Sequence, residues 1–188
     1  MSDLAYKLDE MYTYSDYLSW DSDERYEIID GIAYSMASPN LRHQSMSGEL
    51  YATIREFLKD KPCKVISAPF DVRLFPEDDD SDITVVQPDI LVVCDQKKLS
   101  DGRSCKGAPD LIVEILSKTN RFMDLRIKAQ KYQEAGVKEY WVVNAETLEI
   151  MVNVLTNGCY VSTVYNDIAK SSVLPGLTAD LNLIKERL

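Results

Sequence analysis

The sequence has little of what common metal and redox sites are built from. It contains one histidine, His43, and four cysteines that form no C-x-x-C pair, so zinc-finger spacing is absent. A disulfide framework is not expected either, because a chain of 188 residues can bury a substantial core without covalent links. The sequence therefore predicts reduced thiols at Cys63, Cys94, Cys105 and Cys159.

Long apolar runs are also absent, and no secretory leader is expected. No segment approaches the roughly 20 apolar residues of a membrane span, and the first residues are polar and acidic rather than basic and apolar. We expect one domain over residues 1–188, with no membrane association and a cytoplasmic location.

Positive charge is scarce, and it exceeds negative charge in one part of the chain. The 21 basic and 31 acidic residues give a net charge of −10, which disfavours a surface that binds nucleic acid everywhere. Residues 97–131 nevertheless hold nine basic and four acidic residues, so this window carries +5 and the remainder −15. The window is either a solvated surface or a phosphate-binding face, with Lys118, Arg121 and Arg126 as candidate phosphate ligands.

Apolar periodicity and turn residues predict a mixed sheet flanked by helices. Gly136 should cap the end of the helix predicted at 121–135. The last residues, 171–188, give no clear pattern. The predicted elements are a helix at 13–20, a hairpin around Asp30-Gly31, a helix at 41–58, strands at 63–67, 70–75, 84–93 and 109–116 with a loop at 95–108, a helix at 121–135, a strand at 139–143 and a hairpin at 149–165.

Two of these strands carry a carboxylate among residues that should be buried on both faces. Asp89 enters one strand after Pro88, and Glu114 lies inside the other. An ionised carboxylate in such a place loses its hydration unless a cation or several donors replace it. Asp89 alone is explained by turn capping, and Glu114 alone by an edge strand with one face in water. Together they predict a bound cation.

A row of three polar residues follows the strand that holds Glu114. Asp124, Lys128 and Tyr132 are spaced four apart, which is also the pattern of a surface ion pair beside a core tyrosine. The connection from the strand is short, however, so the helix should pack back over it and bring Lys128 to the carboxylates. Asp, Glu and Lys on adjoining elements predict metal-assisted hydrolysis.

These residues resemble the Uma family of endonucleases, a branch of the PD-(D/E)XK restriction-endonuclease-like superfamily. In the usual superfamily signature the lysine lies two residues beyond the second acid, but that position is Leu116 here. The resemblance rests on residues 26–31 (YEIIDG), Ser38-Pro39 before His43, Pro88-Asp89, residues 113–117 (VEILS), the row of Asp124, Lys128 and Tyr132, residues 135–137 (AGV) and residues 139–143 (EYWVV).

The resemblance implies an α/β (α+β) fold with a restriction-endonuclease-like core, a mixed β-sheet flanked by helices, and an N-terminal helix and hairpin. It implies Mg²⁺, or Mn²⁺, held by Asp89, Glu114 and the Ile115 carbonyl, with Lys128 as the catalytic lysine and Lys118 as a lesser candidate. It implies supporting roles for Glu27, His43, Asp124 and Tyr132. A simpler account of Glu27 is a charge exposed on a hairpin, and a simpler account of His43 is a histidine on the surface.

The implied function is endonucleolytic hydrolysis of phosphodiester bonds, with DNA rather than RNA as the partner and a homodimer as the assembly. Two alternatives stay open from the residues themselves. The charge of −10 favours a binding module on the same core that does not cleave. A hydrolase of small phosphate esters would instead use the long loops as its pocket.

Overall fold

The structure is a computed structural model, and it describes residues 11–21, 24–117 and 123–188. The helices are α1 (Tyr14–Ser19), α2 (Leu41–Phe57), α3 (Ala129–Ala135) and α4 (Leu181–Lys185), with a 3₁₀ turn at Gln96–Leu99 and a π-helix at Met123–Lys128 that leads into α3. The strands are β1 (Tyr26–Ile29), β2 (Ile32–Ser35), β3 (Lys64–Ser67), β4 (Asp71–Arg73), β5 (Val85–Val86), β6 (Ile90–Val93), β7 (Ser104–Lys106), β8 (Leu111–Ile115), β9 (Glu139–Asn144), β10 (Glu149–Thr156), β11 (Cys159–Tyr165), β12 (Ile168–Lys170) and β13 (Thr178–Asp180).

Local sequence signals account for the ends of several elements. Thr13 and Asp16 form a reciprocal capping box that begins α1. The β1–β2 hairpin turns through Asp30 and Gly31, both at positive φ (51° and 79°), as a tight turn between right-twisted strands requires. Gly136 adopts the left-handed conformation and ends α3, which confirms the predicted cap.

The strands form two large sheets and a small one. The five-stranded sheet has the order β2-β1-β5-β4-β7, and the six-stranded sheet has the order β11-β10-β9-β8-β6-β3. In the larger sheet β8 and β9 are parallel while the other neighbours are antiparallel. Strands β12 and β13 pair separately. The mixed α+β class is confirmed.

The prediction of one continuous strand over residues 84–93 is wrong. Residues 85–86 form β5 in the five-stranded sheet, whereas residues 90–93 form β6 in the six-stranded sheet. The segment Gln87-Pro88-Asp89 separates them, because Pro88 has no N–H to donate to a ladder. The chain therefore crosses between the sheets just before Asp89.

The two faces of the six-stranded sheet are covered by different elements. Helix α2 packs Met46, Leu50 and Ile54 against one face, in a cluster that includes Val113 and Trp141. The opposite face packs Ile112 and Val142 against Tyr132 of α3 and against residues of the five-stranded sheet. All of β8 is buried, so Glu114 lies inside the protein rather than on an edge strand.

Other regions also differ from the prediction. The expected loop at 95–108 contains the 3₁₀ turn and β7, and the tail at 171–188 contains β13 and α4. The helix expected at 121–135 is described only from residue 123, where it begins as the π-helix. Within the described ranges, none of the helices combines the length and apolarity that crossing a bilayer requires.

The expectation that all four cysteines are reduced is wrong for one pair. Cys63 and Cys94 form a disulfide. The reason is their register, because β3 and β6 pair with Lys64 opposite Val93, which places the flanking cysteines across from each other with Cα atoms 3.9 Å apart. Cys105 and Cys159 are free, the first buried and the second exposed.

Candidate active site

A cleft of about 540 Å³ opens where β6 begins and β8 ends. Its lining comes from the six-stranded sheet, from residues next to strands of the five-stranded sheet, from α2 and from the π-helix. The lining residues are therefore far apart in the chain. The cleft brings together Asp89, Glu114, Asp124 and Lys128, the residues that the sequence singled out from two strands and a helix.

Lys128 is the centre of a buried ion-pair cluster. Its Nζ lies 2.8 Å from Glu27 Oε1, 2.9 Å from Glu114 Oε1 and 3.5 Å from Asp124 Oδ1. Burial lowers the pKa of the Lys128 ammonium, but the Glu114, Glu27 and Asp124 charges outweigh it and raise that pKa well above its usual value. The lysine is therefore a positive charge fixed by three carboxylates.

Glu114 projects from β8 into this cluster and is only 4% exposed. The Tyr132 hydroxyl donates a 2.7 Å hydrogen bond to Glu114 Oε1, the same oxygen that Lys128 contacts. Burial raises the pKa of the Glu114 carboxyl well above its usual value, Lys128 opposes that rise, and the Asp124, Asp89 and Glu27 carboxylates add to it. Glu114 therefore lies where one more positive charge would be strongly stabilising.

Asp89 is held beside Glu114 by the register of β6 and β8, which pairs Ile90 with Val113. Its Oδ2 accepts a 2.8 Å hydrogen bond from the Ile115 backbone N–H and lies 3.2 Å from His43 Nε2. Burial lowers the pKa of His43, but the hydrogen bond and charge of Asp89 reverse the effect, and the net shift is upward. The carboxylate of Asp89 is thus oriented from both β8 and α2.

Glu27 and Asp124 complete the cluster from opposite sides. Glu27 reaches it from β1, and its Oε1 also accepts a 2.8 Å hydrogen bond from the Gln87 backbone N–H. Asp124 reaches it from the π-helix, where burial, opposed by Lys128 and aided by Glu27 and Asp89, raises its pKa to about 6. Three carboxyl groups contact one lysine and Asp89 lies beside them, so acidic groups outnumber basic ones in the cluster.

The donor set fits a hard divalent cation. Within residues 11–21, 24–117 and 123–188, no three His, Cys, Asp or Glu side chains form a ready metal cage. Mg²⁺ does not need one, because it is usually bound by one or two carboxylates together with waters and substrate phosphate oxygens. Asp89, Glu114 and the carbonyl of Ile115, all lining the cleft, match that requirement in chemistry and charge.

The candidate phosphate-binding residues are not gathered at the cleft. Arg126 is exposed and lines a separate depression with Lys131, Asn153 and Tyr160. Its place on the helix explains this, because it lies two residues from both Asp124 and Lys128 and so points away from them. Lys118 and Arg121 lie outside the described residues.

The sequence analysis missed Arg25, which lines the cleft and bonds the Gln87 side chain through Nε at 2.8 Å. A signal was available, because Arg25 precedes Glu27 by two residues and so shares its side of an extended chain. The α2 residues that line the cleft beyond His43, including Gly48 and Tyr51, were also missed. The sequence analysis assigned them no role beyond their place in the predicted helix at 41–58.

Comparisons with known proteins found one family model and similar solved structures. Residues 14–183 match the family model Uma2, described as "Putative restriction endonuclease". The fold is similar to the crystal structure of a putative nuclease belonging to DUF820 from Anabaena variabilis ATCC 29413, with a TM-score of 0.74 and 14% sequence identity over 93% of this chain and 98% of that one. No curated protein matches the chain in sequence.

Proposed function

This chain belongs to the Uma2 family of putative restriction endonucleases, and from that premise we propose that it is a divalent-metal-dependent nuclease acting on DNA rather than RNA. The observation that carries the proposal is the buried cluster in which Glu27, Glu114 and Asp124 surround Lys128 beside Asp89. A cluster of this kind costs stability unless a cation or substrate uses it, because desolvated like charges repel.

Asp89 and Glu114 would hold Mg²⁺ or Mn²⁺, with the Ile115 carbonyl as a further oxygen ligand. When bound, such an ion polarises the scissile phosphate and lowers the pKa of a coordinated water. The protein contributes the orientation of its ligands. The Ile115 N–H and His43 fix Asp89, and the Tyr132 hydroxyl fixes Glu114.

Lys128 acts as a fixed positive charge rather than as a base. Its raised pKa keeps the ammonium protonated at neutral pH, so it has protons to donate and no lone pair to accept one. Directed at the cleft, it would stabilise negative charge that accumulates on the phosphate oxygens during hydrolysis. Glu27 and Asp124 position that ammonium.

The test is to incubate purified protein with supercoiled, linear and single-stranded DNA and with RNA, in Mg²⁺, Mn²⁺ or chelator. We expect divalent-dependent cleavage of DNA that is lost in Asp89→Asn and in Glu114→Gln. Asp110→Asn is the matched control, because Asp110 also follows a proline at a strand entrance but binds the Cys94 N–H and Lys138 away from the cleft.

Three outcomes would contradict the proposal. If cleavage persists in both Asp89→Asn and Glu114→Gln, these two residues are not the metal ligands. Nucleic-acid binding without turnover favours the non-cleaving module that the charge of −10 suggests, and hydrolysis of nucleotides alone favours a small-ester hydrolase. The homodimer stays a prediction, which the mass from small-angle scattering would test.

A further inference from the structure

The cleft continues beyond the carboxylates along one face of α2. Gln44, Ser47, Gly48 and Tyr51 line this part of it, at the helical spacing i, i+3, i+4 and i+7 that places them side by side. We call these four residues the α2 trough. From His43, which touches Asp89, the helix rises about 12 Å to Tyr51. That length suits one or two nucleotides.

Gly48 keeps the α2 trough open. It lies in the middle of a 17-residue helix, where glycine is less favourable than alanine. A Cβ added at this position would meet no atom within 4 Å, and the backbone is not in the left-handed region, so neither packing nor conformation calls for glycine. The space above Gly48 is therefore free for a ligand to approach the helix backbone.

The cleft also holds polar groups that lack partners in the protein. Among buried side-chain atoms of the described residues, Arg25 Nη2 and His43 Nδ1 have no hydrogen-bond partner, and both side chains line the cleft near the carboxylates. Within the same residues, the Gln44 and Ser47 side chains and the Tyr51 hydroxyl make no hydrogen bond. One end of the cleft is thus suited to a phosphate and the other to neutral donors and acceptors.

The α2 trough and the walls that face it carry no formal charge. Residues 36–40 and 67–69, which also line the cleft, contain no lysine, arginine, aspartate or glutamate. A duplex is held mainly by basic contacts to the phosphates of both strands. Among the described residues, neither the α2 trough nor these two segments supply a lysine or an arginine. An uncharged surface with the half-buried ring of Tyr51 instead suits the base and sugar of a nucleotide outside a duplex.

We propose that the α2 trough binds an unpaired nucleotide next to the scissile phosphate, so that the substrate class is single-stranded DNA or DNA with an unpaired segment. The base stacks on Tyr51 and bonds Gln44 and Ser47, its sugar passes over Gly48, and its phosphate lies towards Arg25 and His43. This inference rests on the proposed nuclease function for the reaction, but it concerns binding and is tested by binding.

The experiment measures fluorescence anisotropy of a labelled 12-nucleotide DNA single strand, and of the same strand annealed to its complement, with the non-cleaving Glu114→Gln protein in Mg²⁺. We expect the single strand to bind at least about tenfold more tightly than the duplex. Gly48→Leu, which fills the α2 trough, should weaken single-strand binding about tenfold or more. Ala52→Leu, on an exposed part of α2 outside the cleft, should leave it unchanged.

Gly48→Ala keeps the test decisive if Gly48→Leu does not fold. It should raise the melting temperature by about 2–4 °C, since it removes a helical glycine, while weakening single-strand binding measurably. Duplex binding that equals or exceeds single-strand binding would overturn the inference, as would a folded Gly48→Leu protein that binds like the parent. Wild-type cleavage of duplex DNA that is unaffected by Gly48→Leu would overturn it while leaving the nuclease function intact.

Discussion

Two buried glutamates in neighbouring parallel strands meet opposite environments. Glu139 of β9 is fully buried and accepts hydrogen bonds from the Trp141 indole N–H at 2.7 Å and from the backbone amides of Ser172 and Val173 at 2.7 and 3.1 Å. Glu114 of β8 is 4% exposed and shares its surroundings with three other carboxylates and one lysine.

The difference teaches that burial of a carboxylate does not by itself indicate function. At Glu139 neutral donors satisfy both oxygens, and the charge anchors the C-terminal segment to the sheet. Around Glu114, the neighbouring carboxyl groups outnumber the one lysine. Lys128 and a further cation therefore stabilise the site by offsetting the repulsion between the carboxylates. The groups around each carboxylate therefore distinguish Glu139, whose neutral donors stabilise the fold, from Glu114, which we propose as a metal ligand.

The largest expected effect is on catalysis at Glu114. Glu114→Gln should lower cleavage at least about 10³-fold, because a neutral amide holds a divalent ion poorly and positions no charge at the phosphate. The melting temperature in chelator should stay within a few degrees of the wild type, since the variant also removes a repelling charge. Single-turnover assays measure the cleavage rate, and thermal melts measure the stability. If Glu114→Gln lowered stability but not cleavage, Glu114 would have the structural role that we assign to Glu139.

Removal of the lysine should give the largest loss of stability. Lys128→Met leaves Glu27, Glu114 and Asp124 without their shared cation, which should cost about 3–5 kcal/mol in chelator. The matched control is Lys138→Met, because Lys138 pairs only with Asp110 and its side chain is 63% exposed, so it should cost about 1 kcal/mol or less. Urea unfolding measures both, and equal losses would mean that the cluster around Lys128 is not under charge repulsion.

Glu139→Gln tests the structural side of the comparison. The amide nitrogen of glutamine has hydrogens where the buried site supplies only donors, so the variant should lose about 1–3 kcal/mol of unfolding free energy. Cleavage by the folded variant and its dependence on Mg²⁺ concentration should match the wild type. A shifted Mg²⁺ dependence would show that Glu139 is coupled to the cleft after all.

The smallest effect is metal-induced stabilisation in the absence of substrate. At several times its dissociation constant, Mg²⁺ should stabilise the wild type by about 1 kcal/mol, which corresponds to about 2–4 °C in melting temperature for a chain of this size. Glu139→Gln should keep this shift and Glu114→Gln should lose it. A shift of equal size in both variants would place the ion elsewhere.

Much of the cleft could be predicted because its evidence is local. An acid inside an apolar run and a lysine one short connection later were enough to bring Glu114, Lys128 and Tyr132 together, and the structure places them in contact. Asp89 was predicted on weaker grounds. Asp110 also follows a proline at a strand entrance, and only the partners of each aspartate distinguish them.

What could not be predicted depends on contacts distant in the chain. The partners of Glu139 come from residues 172 and 173, in a tail whose sequence gave no clear pattern. The division of residues 84–93 between two sheets was missed because strands of both sheets are equally apolar. The Cys63–Cys94 link depends on the register of β3 and β6, which composition does not reveal.

The separation in sequence of Glu27 and Lys128 has a consequence for how the protein matures. Their contact joins residues about 100 positions apart, and it requires both sheets to be assembled. A chain in which β1 and the π-helix are not yet together lacks the complete set of charges, and such long-range contacts are slow to form. Hydrolytic capacity should therefore arise only when folding is complete, which limits premature damage to nucleic acid by a nascent enzyme.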